Sequence, residues 1–277
     1  LSDKEKQTIT EYSEKIAKSL GNIGLINIQY AVREGTVYML EANPRASRTV
    51  PFVSKAIGIP MVKLATAVML GEKLDDLLPK LQMPSPSYFA VKSVVFPFLK
   101  LAGTDISLGP EMRSTGETMG LGDSFEIAYY KALLAAGSFV DPRKKSVLIS
   151  VRDEDKVNTV QLSNLLYELG FKIYATKGTA EKINGAVFVP KIGEGNTNHS
   201  DILELIKSGN VGLVINTPRK GGSSHTDGFK IRRAAIEKGI TCITNINTAF
   251  ELAKALKKLS KHELEVSTIS EWNSRSK

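Results

Sequence analysis

Ser146-Val-Leu-Ile-Ser-Val151, a helical pattern over 155–169 and then Phe171-Lys-Ile-Tyr-Ala175 form the stretch whose reading decides the fold. Two short apolar runs with an amphipathic segment between them spell strand, helix, strand. The pattern then repeats. A short helix is expected over 179–184, a strand over 186–190, a helix over 200–208, a strand over 211–215, a helix over 229–238, a strand over 240–244 and a helix over 247–259. Such alternation implies a parallel sheet with helices on both faces. The fold class of this half is therefore α/β, a doubly wound parallel sheet. The tail after about Lys261 is polar and reads as frayed.

Upstream the pattern changes. Residues 137–145 combine glycine, Asp141-Pro142 and a basic cluster between two ordered patterns, which assigns residues 1–141 to a first domain and 142–277 to a second. Ser2-Asp3-Lys4-Glu5 reads as a capping box ahead of Ile9, Tyr12, Ile16 and Leu20 at helical spacing. Two β-rich runs, 25–32 and 36–42, flank Arg33-Glu34-Gly35, a hairpin signal. Helical stretches follow over 51–57 and 60–70, broken at Gly58-Ile59-Pro60. The segment 79–88 reads as a surface connection, 89–98 as a strand, and 108–117 as too rich in Gly and Ser for regular structure. Asp123 opens a helix running to about Ala136. The chain begins at Leu1, already in a helical pattern, and reads as a piece of a longer protein.

A length of 277 residues allows two domains, each with a real core, and an apolar fraction of 42% is that of a globular protein. No apolar run is long enough to span a bilayer and no signal-peptide pattern is present, so the expectation is a cytoplasmic protein. Cys242, the single cysteine, sits in an apolar run and reads as a buried structural thiol. The net charge of +8 is uneven: residues 1–141 carry 15 basic and 15 acidic side chains, residues 142–277 carry 22 and 14. The second half is thus the expected anion binder. Its basic residues are scattered, without an interleaved aromatic series, which argues against nucleic acid and for a small phosphorylated ligand.

One run carries chemistry in the first half: Tyr38-Met-Leu-Glu41-Ala-Asn43-Pro-Arg45-Ala-Ser-Arg48-Thr-Val-Pro-Phe52. Residues two apart on a strand project to one face, so Glu41 and Asn43 present oxygen ligands together. A hard divalent cation takes such oxygens along with phosphate oxygens. Arg45 and Arg48 supply forked positive charge for a polyphosphate or acyl phosphate. Gln29, on the preceding strand, joins them if the register allows. A plain ion pair at a strand end is the alternative for Glu41 and Arg45, and Arg48 serves equally as a surface arginine at a helix start.

These residues, with Gln29 and with Gly109-Pro-Glu-Met-Arg-Ser-Thr-Gly-Glu117, resemble the end of the second ATP-grasp unit of the carbamoyl-phosphate synthase large subunit. Residues 146–260 resemble that subunit's regulatory domain, which has a methylglyoxal-synthase-like fold. The resemblance implies the C-terminal half of an ATP-grasp (α+β) unit followed by the doubly wound domain. It implies ATP and Mg²⁺ or Mn²⁺ as cofactors, with Gln29, Glu41 and Asn43 as metal ligands, Gln29 and Glu41 also at the ATP, and Arg45 and Arg48 at the phosphate. The implied reaction is ATP-dependent phosphorylation of carbamate to carbamoyl phosphate, for pyrimidine and arginine biosynthesis, with a glutaminase small subunit as partner. The chain alone is expected to be inactive in that reaction, because an ATP-grasp unit needs an earlier subdomain. No nucleic-acid or membrane partner is expected, and a homo-oligomer is left open.

In the second half the resemblance is carried by Arg152-Asp-Glu-Asp-Lys156, Ala175-Thr176-Lys177-Gly178-Thr179-Ala180, Lys191 and Ile215-Asn216-Thr217-Pro218. Strands ending near 175 and 215 deliver hydroxyl and amide groups to the carboxyl edge of the sheet, where ligands bind in open α/β folds. Thr179 is expected to begin a helix, and Lys156 and Lys191 add charge for a phosphate. Thr176 and Thr179 are also ordinary turn and cap residues. The family implies a nucleotide monophosphate effector, uridylate or inosinate, with Asn216 and Thr217 facing ribose or base. Pro218 and Lys177 depart from the threonine and histidine frequent in relatives, and leave the base preference open. Ser93 stands where ornithine-activated relatives carry a glutamate, so ornithine is expected to have little effect. Arg232-Arg233 read as a surface and interface feature, Glu111 and Arg113 as hydrogen-bonding groups between domains, and His199 and His225 as solvated loop histidines. Two other classes stand beside the ligase: a purely regulatory nucleotide-binding module, and a methylglyoxal-synthase-type lyase. Lys191-Ile-Gly-Glu-Gly-Asn196 lacks the aspartate that the lyase would need.

Overall fold

The computed structural model describes residues 1–81, 86–101, 103–109, 111–141, 143–195, 201–219, 226–261 and 263–275. His199 and His225 lie outside the described residues. The chain forms two compact units, Leu1–Ser87 with Ser267–Lys277, and Tyr88–Val266. Among the described residues no single helix is long and apolar enough to cross a membrane.

In the first unit, α1 (Asp3–Ser19) starts at a true capping box: the Glu5 amide donates to Ser2 Oγ at 3.3 Å, and the Ser2 amide to Glu5 Oε2 at 2.6 Å. That arrangement satisfies two orphan donors of the first turn. The hairpin β1 (Asn27–Arg33) and β2 (Thr36–Asn43) turns on Glu34 and Gly35, with φ of 52° and 77°. Two left-handed residues give a turn whose twist matches that of the strands. Ser13 Oγ on α1 lies 2.9 Å from Tyr30 Oη on β1 and ties helix to hairpin. Then come α2 (Thr49–Ile57), α3 (Met61–Met69) and α4 (Leu74–Leu77), the first two separated at Gly58, whose φ of 72° ends α2.

The tail is a correction to the sequence reading. Residues Ile269–Ser274 form a helix, α11, opened by a Thr268–Glu271 capping box, and Trp272 on it is 3% exposed. A Cβ on Gly58 would stand 3.2 Å from the Asn273 side chain, so the break after α2 is also where α11 docks. One buried tryptophan and a cap outweigh the polar composition.

The second unit opens with an antiparallel pair, β3 (Phe89–Val95) and β4 (Gly116–Gly122), covered by α5 (Phe125–Ala135). A Cβ at Gly120 would collide with the Ala128 carbonyl, and one at Gly122 would lie 2.7 Å from the Ala128 amide. Glycine at these two positions is what lets the strand approach the helix.

The parallel sheet comprises β5 (Ser146–Ile149), β6 (Lys172–Ala175), β7 (Val187–Phe188), β8 (Leu213–Ile215) and β9 (Thr241–Ile243), in the order β7-β6-β5-β8-β9 and parallel throughout. Alternate residues feed two cores. Val147, Ile149, Leu213 and Ile215 pack with α6 (Lys156–Glu168) and α10 (Ile246–Leu259), whereas Leu148 and Val214 pack with α8 (Ile202–Lys207) and α9 (Asp227–Glu237). Full burial on both faces explains why these strands read as continuous apolar runs. The first core also takes in Tyr130 of α5 and Val140. The division by packing therefore falls at 87/88, while the parallel sheet starts at Ser146. The short helix α7 spans Lys177–Ala180, earlier than the expected 179–184, because Thr176 is its N-cap and accepts from the Thr179 and Ala180 amides at 2.8 Å. Thr179 thus sits inside the turn and does not begin it.

Candidate functional site

In the first unit the register pairs Gln29 with Glu41 and Asn27 with Asn43, with a bulge just after Gln29. Directly opposed residues share a face, so the four side chains form one polar patch at the end of the hairpin. Asn43 Nδ2 donates to Glu41 Oε1 at 2.9 Å. Gln29, Glu41, Arg45 and Arg48 are all exposed. Arg45 Nη1 donates to the Ala46 carbonyl at 3.2 Å, and Arg48 caps the start of α2 without a side-chain cap bond. Asn27 was not singled out from sequence; its membership in the patch follows only from the register.

The patch holds a single carboxylate, and among the described residues no group of three or more His, Cys, Asp or Glu side chains could hold a metal. Oxygen donors from one carboxylate and two or three amides suit a magnesium-type ion only if other oxygens, such as phosphates, complete its shell. In the present arrangement the Asn43 amide nitrogen faces the carboxylate. Turning that amide over would put its oxygen beside Glu41 Oε1, the arrangement a cation needs.

The second unit carries a cavity of about 900 Å³ at the carboxyl edge of the parallel sheet. The strand order reverses direction there, between β5 and β8, and an open α/β sheet leaves a crevice at such a point. Lys156, Thr176, Thr179, Lys191, Asn216 and Thr217 all line it. They come from loops after β5, β6, β7 and β8 and meet only through the fold.

The floor is a set of short polar contacts. The Ser150 amide donates to the Ile215 carbonyl at 2.9 Å, and the Arg152 amide to Thr217 Oγ1 at 3.0 Å. Thr176 Oγ1 donates to Ser150 Oγ at 3.3 Å, and Asn216 Nδ2 to the Ser150 carbonyl at 2.8 Å. Lys156 Nζ pairs with Asp153 Oδ1 at 2.5 Å, and a Cβ on Gly178 would stand 2.6 Å from that nitrogen. Lys156 thus passes directly over Gly178. Hydrogen bonding to Lys156, with added charge from Arg219, holds the Asp153 carboxyl below its ordinary value. Arg152 is held by Asp155, at 2.8 Å. Ser150, Arg152, Arg219, Arg232 and Asp105 also line the cavity and were not assigned to it from sequence. For Arg152 the signal was adjacency to Lys156; for Asp105, distant in sequence, there was none.

Ser93 lies on β3 opposite Thr118. Arg113 Nη1 donates to the Asp105 carbonyl at 3.2 Å, and Glu111 lies 3.7 Å from the Arg113 guanidinium. Cys242, half-buried on β9, has its thiol pushed up to about 12, chiefly by desolvation.

Comparison with known proteins brings two family models. "Carbamoyl-phosphate synthase L chain, ATP binding domain" matches residues 1–77, and "MGS-like domain" matches residues 158–244. The first range contains the hairpin patch; the second contains Thr176, Thr179, Lys191, Asn216 and Thr217. The chain is 47% identical over 283 residues to the carbamoyl phosphate synthase large chain, C-terminal section, of Methanocaldococcus jannaschii, a match covering 98% of this chain and 45% of that protein. It is 48% identical over 274 residues to the carbamoyl phosphate synthase large chain of Archaeoglobus fulgidus, covering 97% of this chain and 25% of that one. The corresponding protein of Lachnoclostridium phytofermentans is 44% identical over 276 residues, with coverage of 98% and 25%. The chain spans between a quarter and just under half of the length of these relatives.

Proposed function

The chain belongs to the carbamoyl-phosphate synthase large chain family, whose C-terminal part it matches, and on that premise we propose that it carries two nucleotide sites of different kinds. The cavity at the sheet edge binds a nucleoside monophosphate that regulates the synthase. The hairpin patch is one wall of the ATP and metal site where carbamate is phosphorylated. The observation that carries this reading is that Lys156, Thr176, Thr179 and Lys191 line one cavity together with Asn216 and Thr217.

Lysine charge and threonine hydroxyls in one cavity suit a phosphate, because charge-assisted bonds to its oxygens outweigh the loss of hydration. A phosphate competes with Asp153 for Lys156, so binding breaks a pair that costs little to break: Asp153 is 72% exposed. Asn216 and Thr217, buried at the strand end, suit the hydroxyl and amide groups of a nucleoside. In the patch, Gln29, Glu41 and Asn43 would hold the divalent ion. That ion, when bound, neutralises phosphate charge. Arg45 and Arg48 orient the transferring phosphoryl group and stabilise charge on its oxygens. A glutaminase small subunit supplies ammonia to the intact enzyme.

Calorimetry on the 277-residue chain tests the reading. Uridine or inosine 5′-monophosphate is expected to bind, and Lys156→Met to weaken binding about tenfold or more, the loss of a charge-assisted contact. Glu41→Gln is expected to leave that binding unchanged. An unmodified chain that ignores both monophosphates would defeat the regulatory assignment.

A further inference from the structure

Arg232 is a buried cation that donates from all three of its nitrogens. Its side chain is 5% exposed, on α9. Nη1 donates to Asn216 Oδ1 at 2.6 Å, Nε donates to Asp105 Oδ1 at 2.8 Å, and Nη2 donates to Asp105 Oδ2. Asp105 in turn accepts from the Ser107 amide at 3.0 Å. The contact joins residues 127 positions apart in sequence, the kind of long-range pair that a fold keeps only where the polar groups satisfy one another.

The chemistry of Asn216 then follows without ambiguity. A guanidinium can only donate and a main-chain carbonyl can only accept. With Arg232 on one side and the Ser150 carbonyl on the other, the amide oxygen must face Arg232 and the amide nitrogen must face Ser150. Asn216 therefore keeps one N–H and one lone pair to offer a ligand, in fixed directions. A Cβ on Gly228 would lie 3.0 Å from Arg232 Nη1 and 3.5 Å from Asn216 Oδ1, so a glycine leaves room for this contact.

We propose that Arg232, anchored on Asp105, is a positioning residue that fixes the orientation of Asn216 and so sets recognition of the nucleoside part of the ligand, separately from its phosphate. This rests on the nucleotide-pocket reading above and adds to it a residue pair that the phosphate-binding set does not include. Without Asp105 the guanidinium turns toward water, and Asn216 loses the donor that holds its oxygen. Without Asn216 in one orientation, the nucleoside meets a donor and an acceptor that exchange places. Lys156 makes no bond in this network and Thr176 meets it only through Ser150 Oγ, so both keep their contacts to the phosphate.

The test uses the full chain with two probes, uridine 5′-monophosphate and inorganic phosphate, titrated by calorimetry. Asp105→Asn and Arg232→Lys are each expected to weaken the monophosphate about tenfold while inorganic phosphate changes by about twofold or less. Gly228→Ala keeps both side chains of the ion pair and crowds the Arg232–Asn216 contact beside it. It is expected to give the same split, reduced to about threefold. A merely structural role for the pair predicts that both probes weaken together, and that result overturns the proposal, as does no change in either. If the unmodified chain binds neither probe, the pocket reading and this inference fall together. If it binds both and the variants do not separate them, this inference alone falls.

Discussion

The hairpin patch and the sheet-edge cavity gather similar groups, carboxamides with hydroxyls or carboxylates and nearby cations, yet they are built in opposite ways. The patch comes from one hairpin and the turn after it, with Gln29, Glu41, Arg45 and Arg48 exposed. The cavity draws on loops after four strands, and its floor residues Asn216 and Thr217 are 3% and 6% exposed. The difference extends below the surface. The sheet rests on two cores of fully buried side chains, whereas α1, α3 and α4 contain no buried residue. Where polar groups are locked by buried partners, the protein sets the geometry in advance. Where they are exposed, the ligand and its metal must do part of the ordering, at an entropic cost.

The largest effect that would break this contrast is in the sheet. Leu148 is fully buried on the α8–α9 side. Leu148→Ala is expected to destabilise by about 2–5 kcal/mol, the range for a truncated core leucine whose cavity cannot collapse. Urea unfolding followed by far-ultraviolet circular dichroism measures it. A loss below about 1 kcal/mol would mean that the sheet core is far more plastic than its close packing implies.

A smaller effect tests the cavity's buried network against acid. Burial opposes the charge of Asp105, but the Arg232 fork and the Ser107 amide outweigh it and hold the carboxyl below its ordinary value. A carboxyl whose folded value is lowered binds its proton more readily when unfolded. Its stabilisation is complete above about pH 4 and is lost as pH falls through the lower, folded value. The stability gap between the native chain and Asp105→Asn is therefore expected to be widest near neutrality and to close below about pH 4. Urea midpoints across that window decide it; a gap that stays constant would show that the Asp105 charge contributes nothing.

Much of this was legible because the sheet's strands are short, apolar and separated by amphipathic helices. Thr176 and Asn216 could be placed because each follows such a strand directly. What could not be read had a different origin in each case. The Asp105–Arg232 pair spans two distant segments, and no local pattern joins them. Asn27 enters the patch through a register that a bulge at Gln29 interrupts. Strand β4 went unread because the segment 108–117, which holds its first two residues, has the composition of a loop, while Gly120 and Gly122 serve close packing on α5. Helix α11 was hidden because a single buried side chain, Trp272, decides it. The hairpin was the opposite case: Glu34 and Gly35 supply the turn locally, so strands, turn and the Glu41–Asn43 spacing were readable at once.

The smallest expected effect is on the hairpin itself. Tyr38, Met39 and Leu40 on β2 are 50%, 46% and 58% exposed, so their apolar surface gains little from the fold described. Because Leu40 leaves most of its side chain in water, Leu40→Ser removes little buried area and creates no cavity. The change in unfolding free energy is expected to stay within about 0.5 kcal/mol, as for surface positions generally. The hydroxyl also lowers the apolar content of a strand next to the polar patch, so solubility is expected to rise. The same urea titration used for Leu148→Ala measures both variants on one scale, and the contrast between the two regions predicts a difference of several-fold. A loss above about 1 kcal/mol at Leu40 would show that this side chain is covered in solution, and the exposed hairpin would then have to be redrawn as a buried one.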